Sequence, residues 1–105
     1  MGCECSIYRT TEKSHDQQTR TTQLVRTEIL DLKSWELGEL LTEETEAPNG
    51  HTVTADPTLV ISALSEYLET EDCASYEVAD EVKDCIKEIE TAEEAGDSIS
   101  INVWY

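Results

Sequence analysis

Residues 3–9, CECSIYR, decide how this chain is read. Cys3, Cys5 and Ile7 alternate with Glu4, Ser6 and Tyr8, the period of a strand with one buried face and one wet face. The closing residues 98–105, SISINVWY, repeat the pattern: Ile99, Ile101 and Val103 alternate with Ser100, Asn102 and Trp104. Residues 21–32, TTQLVRTEILDL, also have strand composition. There Val25 and Ile29 fall on one face and Leu24 and Leu30 on the other, which predicts a strand covered on both sides. Residues 10–19, TTEKSHDQQT, hold no apolar side chain and read as a loop or wide hairpin turn.

Between the strands lie three helical patterns. Ser34 is a fitting N-cap for residues 35–44, WELGELLTEE, whose buried stripe is Leu37, Leu40 and Leu41. The loop 47–57, APNGHTVTADP, turns at Asn49-Gly50 and has room for a brief strand in HTVTA. Asp56-Pro57 then starts residues 58–69, TLVISALSEYLE, which present Val60, Ala63, Leu64, Tyr67 and Leu68 and predict the most central helix. A third helix is expected from a Ser75 cap to Gly96, with Ala79, Val82, Ile86 and Ile89 facing the core and Cys85 beside them. The order β-β-α-α-α-β predicts a single α+β domain over residues 1–105. Its sheet would be three- or four-stranded, mainly antiparallel, with helices on one face.

The first six residues, MGCECS, resemble the dual-acylation leader of Src-family kinases: Gly2 with Ser6 fits the myristoylation pattern and Cys3 or Cys5 would take palmitate. Membrane attachment needs both signals together. The physical reading goes the other way. The cysteines run directly into a strand with no stalk, and no polybasic patch adjoins them. A body of net charge −17 is also repelled by an anionic leaflet. Cys3 and Cys5 are expected in the core. With no apolar run near the ~20 residues of a membrane span and no secretory leader, the expected compartment is the cytoplasm, that of the host cell if the chain is viral.

Charge is the dominant feature, with 24 acids against 7 bases. Residues 1–33 hold five of each and are neutral, so residues 34–105, with 19 acids and only Lys83 and Lys87, carry the whole excess. Salt adaptation would spread acid over the entire surface, which this distribution does not do. Glu36, Glu39, Glu43 and Glu46 on the first helix are spaced 3, 4 and 3; Glu77, Glu81, Asp84 and Glu88 on the third are spaced 4, 3 and 4. Each set lines one helical side, at a cost of a few tenths of a kcal/mol per like-charged pair. Rows of carboxylates at these intervals approach the charge density of a nucleic-acid backbone. A solvated helical face is the ordinary explanation for charge. Such faces usually interleave Lys with Glu, however, and these do so only at Lys83 and Lys87.

Other chemistry finds little footing. GxGxxG, GxxxxGK[ST] and HExxH are absent, His15 and His51 fall in loops, and no nucleophile has a recognisable setting. CxC with isolated Cys73 and Cys85 matches no zinc spacing, and ETEDCASYE lacks the ligands and central Gly of a calcium loop. No cofactor or metal is therefore expected, and no enzyme. Direct nucleic-acid binding would need a basic footprint that is missing.

The chain is expected to act by binding a basic, nucleic-acid-handling protein through Glu36, Glu39, Glu43, Glu46, Glu77, Glu81, Asp84 and Glu88. Trp35 or Trp104 would add apolar contact. In size and charge it resembles phage-encoded anti-defence inhibitors, anti-CRISPR and anti-restriction proteins among them, several of which mimic DNA; the resemblance is one of profile. The alternative is a structural or regulatory adaptor, or a homo-oligomer built through the SISINVWY edge, with charge serving solubility.

Overall fold

The computed structural model describes residues 3–16 and 21–105. Two long strands, β1 (Glu4–Asp16) and β2 (Thr21–Lys33), lead into helix α1 (Trp35–Thr45). Next come β3 (Val53–Ala55), α2 (Pro57–Leu68), α3 (Glu71–Tyr76), α4 (Ala79–Ala95) and β4 (Ser98–Trp104). The strands form one antiparallel sheet in the order β2-β1-β4-β3. The fold is α+β, with the helices on one face of the sheet.

Register makes the core. Cys5 of β1 sits between Leu32 of β2 and Val103 of β4, and Ile7 sits between Leu30 and Ile101. All six are buried. Leu37 and Leu41 of α1, Val60, Ala63, Leu64 and Tyr67 of α2, and Val82, Cys85 and Ile89 of α4 close over this layer. The opposite sheet face carries Glu4, Ser6 and Tyr8, with Trp104, Asn102 and Ser100 beside them, and is open to solvent except at Ser100, which is buried. There the Arg26 guanidinium lies over the Tyr8 ring at 5.5 Å from its centroid. As expected, Cys3 and Cys5 are core residues, 1% and 0% exposed, with sulfurs 4.0 Å apart. Thiols so placed are closed to an acyltransferase. Gly2 lies outside the described residues.

Four features differ from the sequence expectations. Residues 10–19 do not begin a loop: β1 and β2 stay paired out to Asp16↔Thr21. Threonine-rich backbone holds a two-stranded ladder there without an apolar face. The rest of that stretch, residues 17–19, falls outside the described residues. Second, β2 is covered on one side only. An irregularity between the Ile7↔Leu30 and Tyr8↔Glu28 pairs leaves Ile29 as an extra residue and inverts the alternation. Leu30 turns to the core, and Leu24 is left 69% exposed.

Third, the single helix expected from Ser75 to Gly96 is two. Thr70, not Ser75, caps α3, and Glu77 ends it in the left-handed region (φ 55°), donating its N–H to the carbonyls of Cys73 and Ala74. That conformation usually signals itself as Gly or Asn. Val78 then starts α4 with no side-chain cap. It is buried, so packing holds the break. Fourth, SISINVWY is not an edge: β4 lies between β1 and β3.

Gly38 sets how closely α1 approaches the sheet. A Cβ there would collide with Cys3 Sγ and come within 3.3 Å of Val103 Cγ1. Alanine is normally the better helix former by about 1 kcal/mol. Here Gly38→Ala is expected to lower stability by about 1–3 kcal/mol through overpacking. Denaturant unfolding should show that loss, and Cys3→Ala in the same chain should recover much of it by removing the opposing sulfur.

Candidate functional site

Helix α1 is fixed at its start by one hydroxyl. Ser34 Oγ accepts the Leu37 N–H at 3.1 Å and donates to Asp72 Oδ2 at 2.7 Å. The buried Tyr67 hydroxyl donates to the same carboxylate oxygen at 2.6 Å, tying α1, α2 and α3 together. Burial, followed by the Asp72 hydrogen bond, pushes the Tyr67 phenol far above its usual range, so it stays a donor. With Leu37 and Leu41 turned inward, Glu36, Glu39 and Glu43 face solvent. Glu46 is also exposed, but it ends the helix in the left-handed region and leaves the row.

An aromatic pair lies beside this row. The Tyr105 ring stacks on Trp35 with centroids 5.3 Å apart and planes 29° apart. Its hydroxyl donates to the Gly38 carbonyl at 3.3 Å and shares a 2.7 Å hydrogen bond with Thr42 Oγ1. The Tyr105 N–H donates to Asn49 Oδ1 at 2.8 Å. Tyr105 is thereby held at both ends, by its hydroxyl on α1 and by its N–H on the loop that follows. Trp35 and Tyr105 remain 50% and 38% exposed, and Trp104, on the far face of the sheet, 60%.

The α4 row is shorter than the sequence implied. Glu81 and Asp84 are exposed on the helix, whereas Glu77 sits at the α3–α4 break. Glu88 is engaged inward: Arg9 Nη1 meets it at 2.9 Å while Arg9 Nε meets Asp97 at 2.7 Å. The Arg9 hydrogen bond, helped by the Thr11 hydroxyl at 3.0 Å, holds the Asp97 carboxyl below its usual range. Besides Arg9, the described residues show one further ion pair, Lys33–Glu4 at 3.7 Å. The two acidic rows do not adjoin: α2 packs against both α1 and α4, which lack comparable packing on each other. Helix α1 brings Glu36, Glu39 and Glu43 to one side, and α4 brings Glu81 and Asp84 to another.

Both acidic helices also lack any basic residue in the last turn, and Glu43, Glu93 and Glu94 crowd the negative ends of their dipoles. These placements cost stability.

Two features escaped the sequence reading. Glu28 and Asp31 line a groove of about 350 Å³ with Glu81 and Asp84, over Ile29 and Leu30. They lie in the charge-neutral third of the chain, and it is the packing of α4 against β2 that brings them to Glu81 and Asp84. The Trp35–Tyr105 stack joins residues at a separation that no local period reports. Elsewhere, all four cysteines are free and buried. Burial pushes the Cys85 thiol up to about 12 and the Cys5 thiol higher still, which leaves both protonated at neutral pH. Among the described residues no three His, Cys, Asp or Glu side chains are grouped to hold a metal. None of the described helices is long and apolar enough to cross a membrane.

Comparison of the chain with protein-family models, with curated proteins and with solved structures gives no match.

A lowered Asp97 value means stability that is present above the ordinary carboxylate range, near pH 4, and lost as pH falls through the folded value. Asp97→Asn should therefore be less stable than the parent at pH 7, and the gap should close in acid. Urea midpoints at pH 7 and pH 2.5 check this; equal midpoints at pH 7 would remove Arg9–Asp97 from the account.

Proposed function

We propose that the chain is a non-catalytic acidic binding protein that occupies the basic, nucleic-acid-handling surface of a partner. The reading is of the kind exemplified by anti-defence inhibitors that mimic DNA. One observation carries it. Glu36, Glu39, Glu43, Glu81 and Asp84 are exposed and have no cation partner among the described residues, and Glu39, Glu43 and Asp84 sit where like-charge spacing opposes the fold, only Glu36 and Glu81 being favoured by a first turn. Charge needed only for solubility has no reason to sit there. A partner that neutralises phosphates with Lys and Arg supplies the missing cations, and the acidic field speeds encounter.

The stacked Trp35 and Tyr105 beside the α1 row support the same reading. Exposed, pre-ordered aromatics dominate interfaces because little side-chain entropy is lost when they are covered. Because the two acidic rows flank α2, mimicry on this reading uses one row at a time, and α1 with its aromatic pair is the stronger half.

Immobilised protein should capture, from a host-type lysate, a nucleic-acid-binding protein or complex that elutes with rising salt and is displaced by DNA. The triple change Glu36→Gln, Glu39→Gln, Glu43→Gln should abolish capture with the fold retained, and Trp35→Ala should weaken it by about tenfold or more. A partner retained at high salt and indifferent to DNA would make the chain an adaptor.

A further inference from the structure

We propose a second docking site on this molecule: the outer edge of β2 around residues 28–31, which takes an extended basic segment of a partner as a fifth strand. Carboxylates alone would not define it. The strand edge does. β2 is the terminal strand of the sheet and pairs only with β1. Alternate backbone N–H and C=O groups on its other side therefore have no ladder partner, which is the arrangement that strand addition uses.

The groove along that edge selects the charge of the incoming strand. Glu28 and Asp31 stand on the β2 side and Glu81 and Asp84 on the α4 side, with Ile29 and Leu30 between. All four acids are exposed, and none has an ion-pair partner among the described residues. A Lys or Arg side chain entering from an added strand would lay its aliphatic stem on half-buried Ile29 and its charge among the carboxylates. Side chains alternate along a strand, so every second residue of the segment would face this groove. An acidic or neutral segment would gain the backbone bonds but meet four unneutralised carboxylates.

The site shares the charge logic of the function proposed above but does not depend on it. It lies on β2 and α4, away from the α1 row, and requires backbone pairing as well as charge.

The test uses the whole chain and a fluorescent nine-residue peptide of alternating Lys and Val. A second peptide of the same sequence carries N-methyl groups on alternate residues of one edge, so charge is kept while pairing along that edge is blocked; methylation of the other edge gives its twin. Expected are saturable binding at low salt and new amide-exchange protection confined to β2 near residues 28–33. One methylated twin should lose at least tenfold in affinity and the other should not. Glu28→Gln with Asp31→Asn should weaken the parent peptide about tenfold while leaving capture through the α1 row intact. Equal affinity of all three peptides would overturn the proposal, since binding would then be charge alone. So would protection on α1 instead of β2, or protection of β2 that appears without peptide as the chain dimerises. Loss of DNA-displaceable capture with peptide binding unchanged would sink the functional reading and leave this site standing.

Discussion

The close approach of α1 to the sheet at Gly38 is the constraint on which the rest depends. Because position 38 has no side chain, Cys3 and Val103 fit directly beneath the helix. Leu37 and Leu41 are driven into the core, and Glu36, Glu39 and Glu43 are forced outward. The same contact lays the Gly38 carbonyl and Thr42 hydroxyl within reach of the last residue, so Tyr105 can pin itself to α1 and stack on Trp35. One missing methyl group thus sets core depth, the pitch of the acidic row and the position of the aromatic pair.

Cations are few, and Arg9 is the one set inward among the described residues. Among the described residues Arg9 is the one base that bridges the sheet to α4, gripping Glu88 and Asp97 where the chain turns into β4. Lys83 and Lys87, the only bases beyond residue 33, make no ion pair among the described residues. The outer surface of the helical layer is therefore left with uncompensated negative charge. The open sheet face, by contrast, is mostly small and polar, with Arg26 over Tyr8. The molecule has two chemically distinct sides, and the charge asymmetry along the chain becomes an asymmetry in space.

Much of this was legible in the sequence, and the failures are physical. Alternation in CECSIYR and SISINVWY places the core strands correctly, and Ser34, Asp56-Pro57 and Gly96 mark helix ends where they occur. Periodicity fails where the backbone departs from its period. The extra residue at Ile29 inverts the faces of β2, and Glu77 adopts a conformation that its side chain does not advertise. Both departures act on the acidic sites. One sets the face on which Glu28 stands beside the α4 groove, and the other removes Glu77 from the row to which its spacing assigns it. Glu88 is lost to the row for a different reason: its partner Arg9 is 79 residues away, beyond any local pattern. Strand order is likewise non-local, which is why β4 proves interior.

On the function proposed, the exposed carboxylates of the two rows are retained against the interest of the fold. The direct measurement is the melting temperature, in low salt, of a chain in which Glu39, Glu43 and Asp84 are all Gln, with Glu36 and Glu81 kept because the first turn of a helix favours them. Relief of like-charge pairs at a few tenths of a kcal/mol each sums to roughly 1 kcal/mol. For a chain of this size that is a rise of about 4–8 °C, shrinking as salt screens the parent. A melting temperature unchanged or lower than the parent's would mean that these carboxylates serve the fold itself, and the account would fail at its foundation.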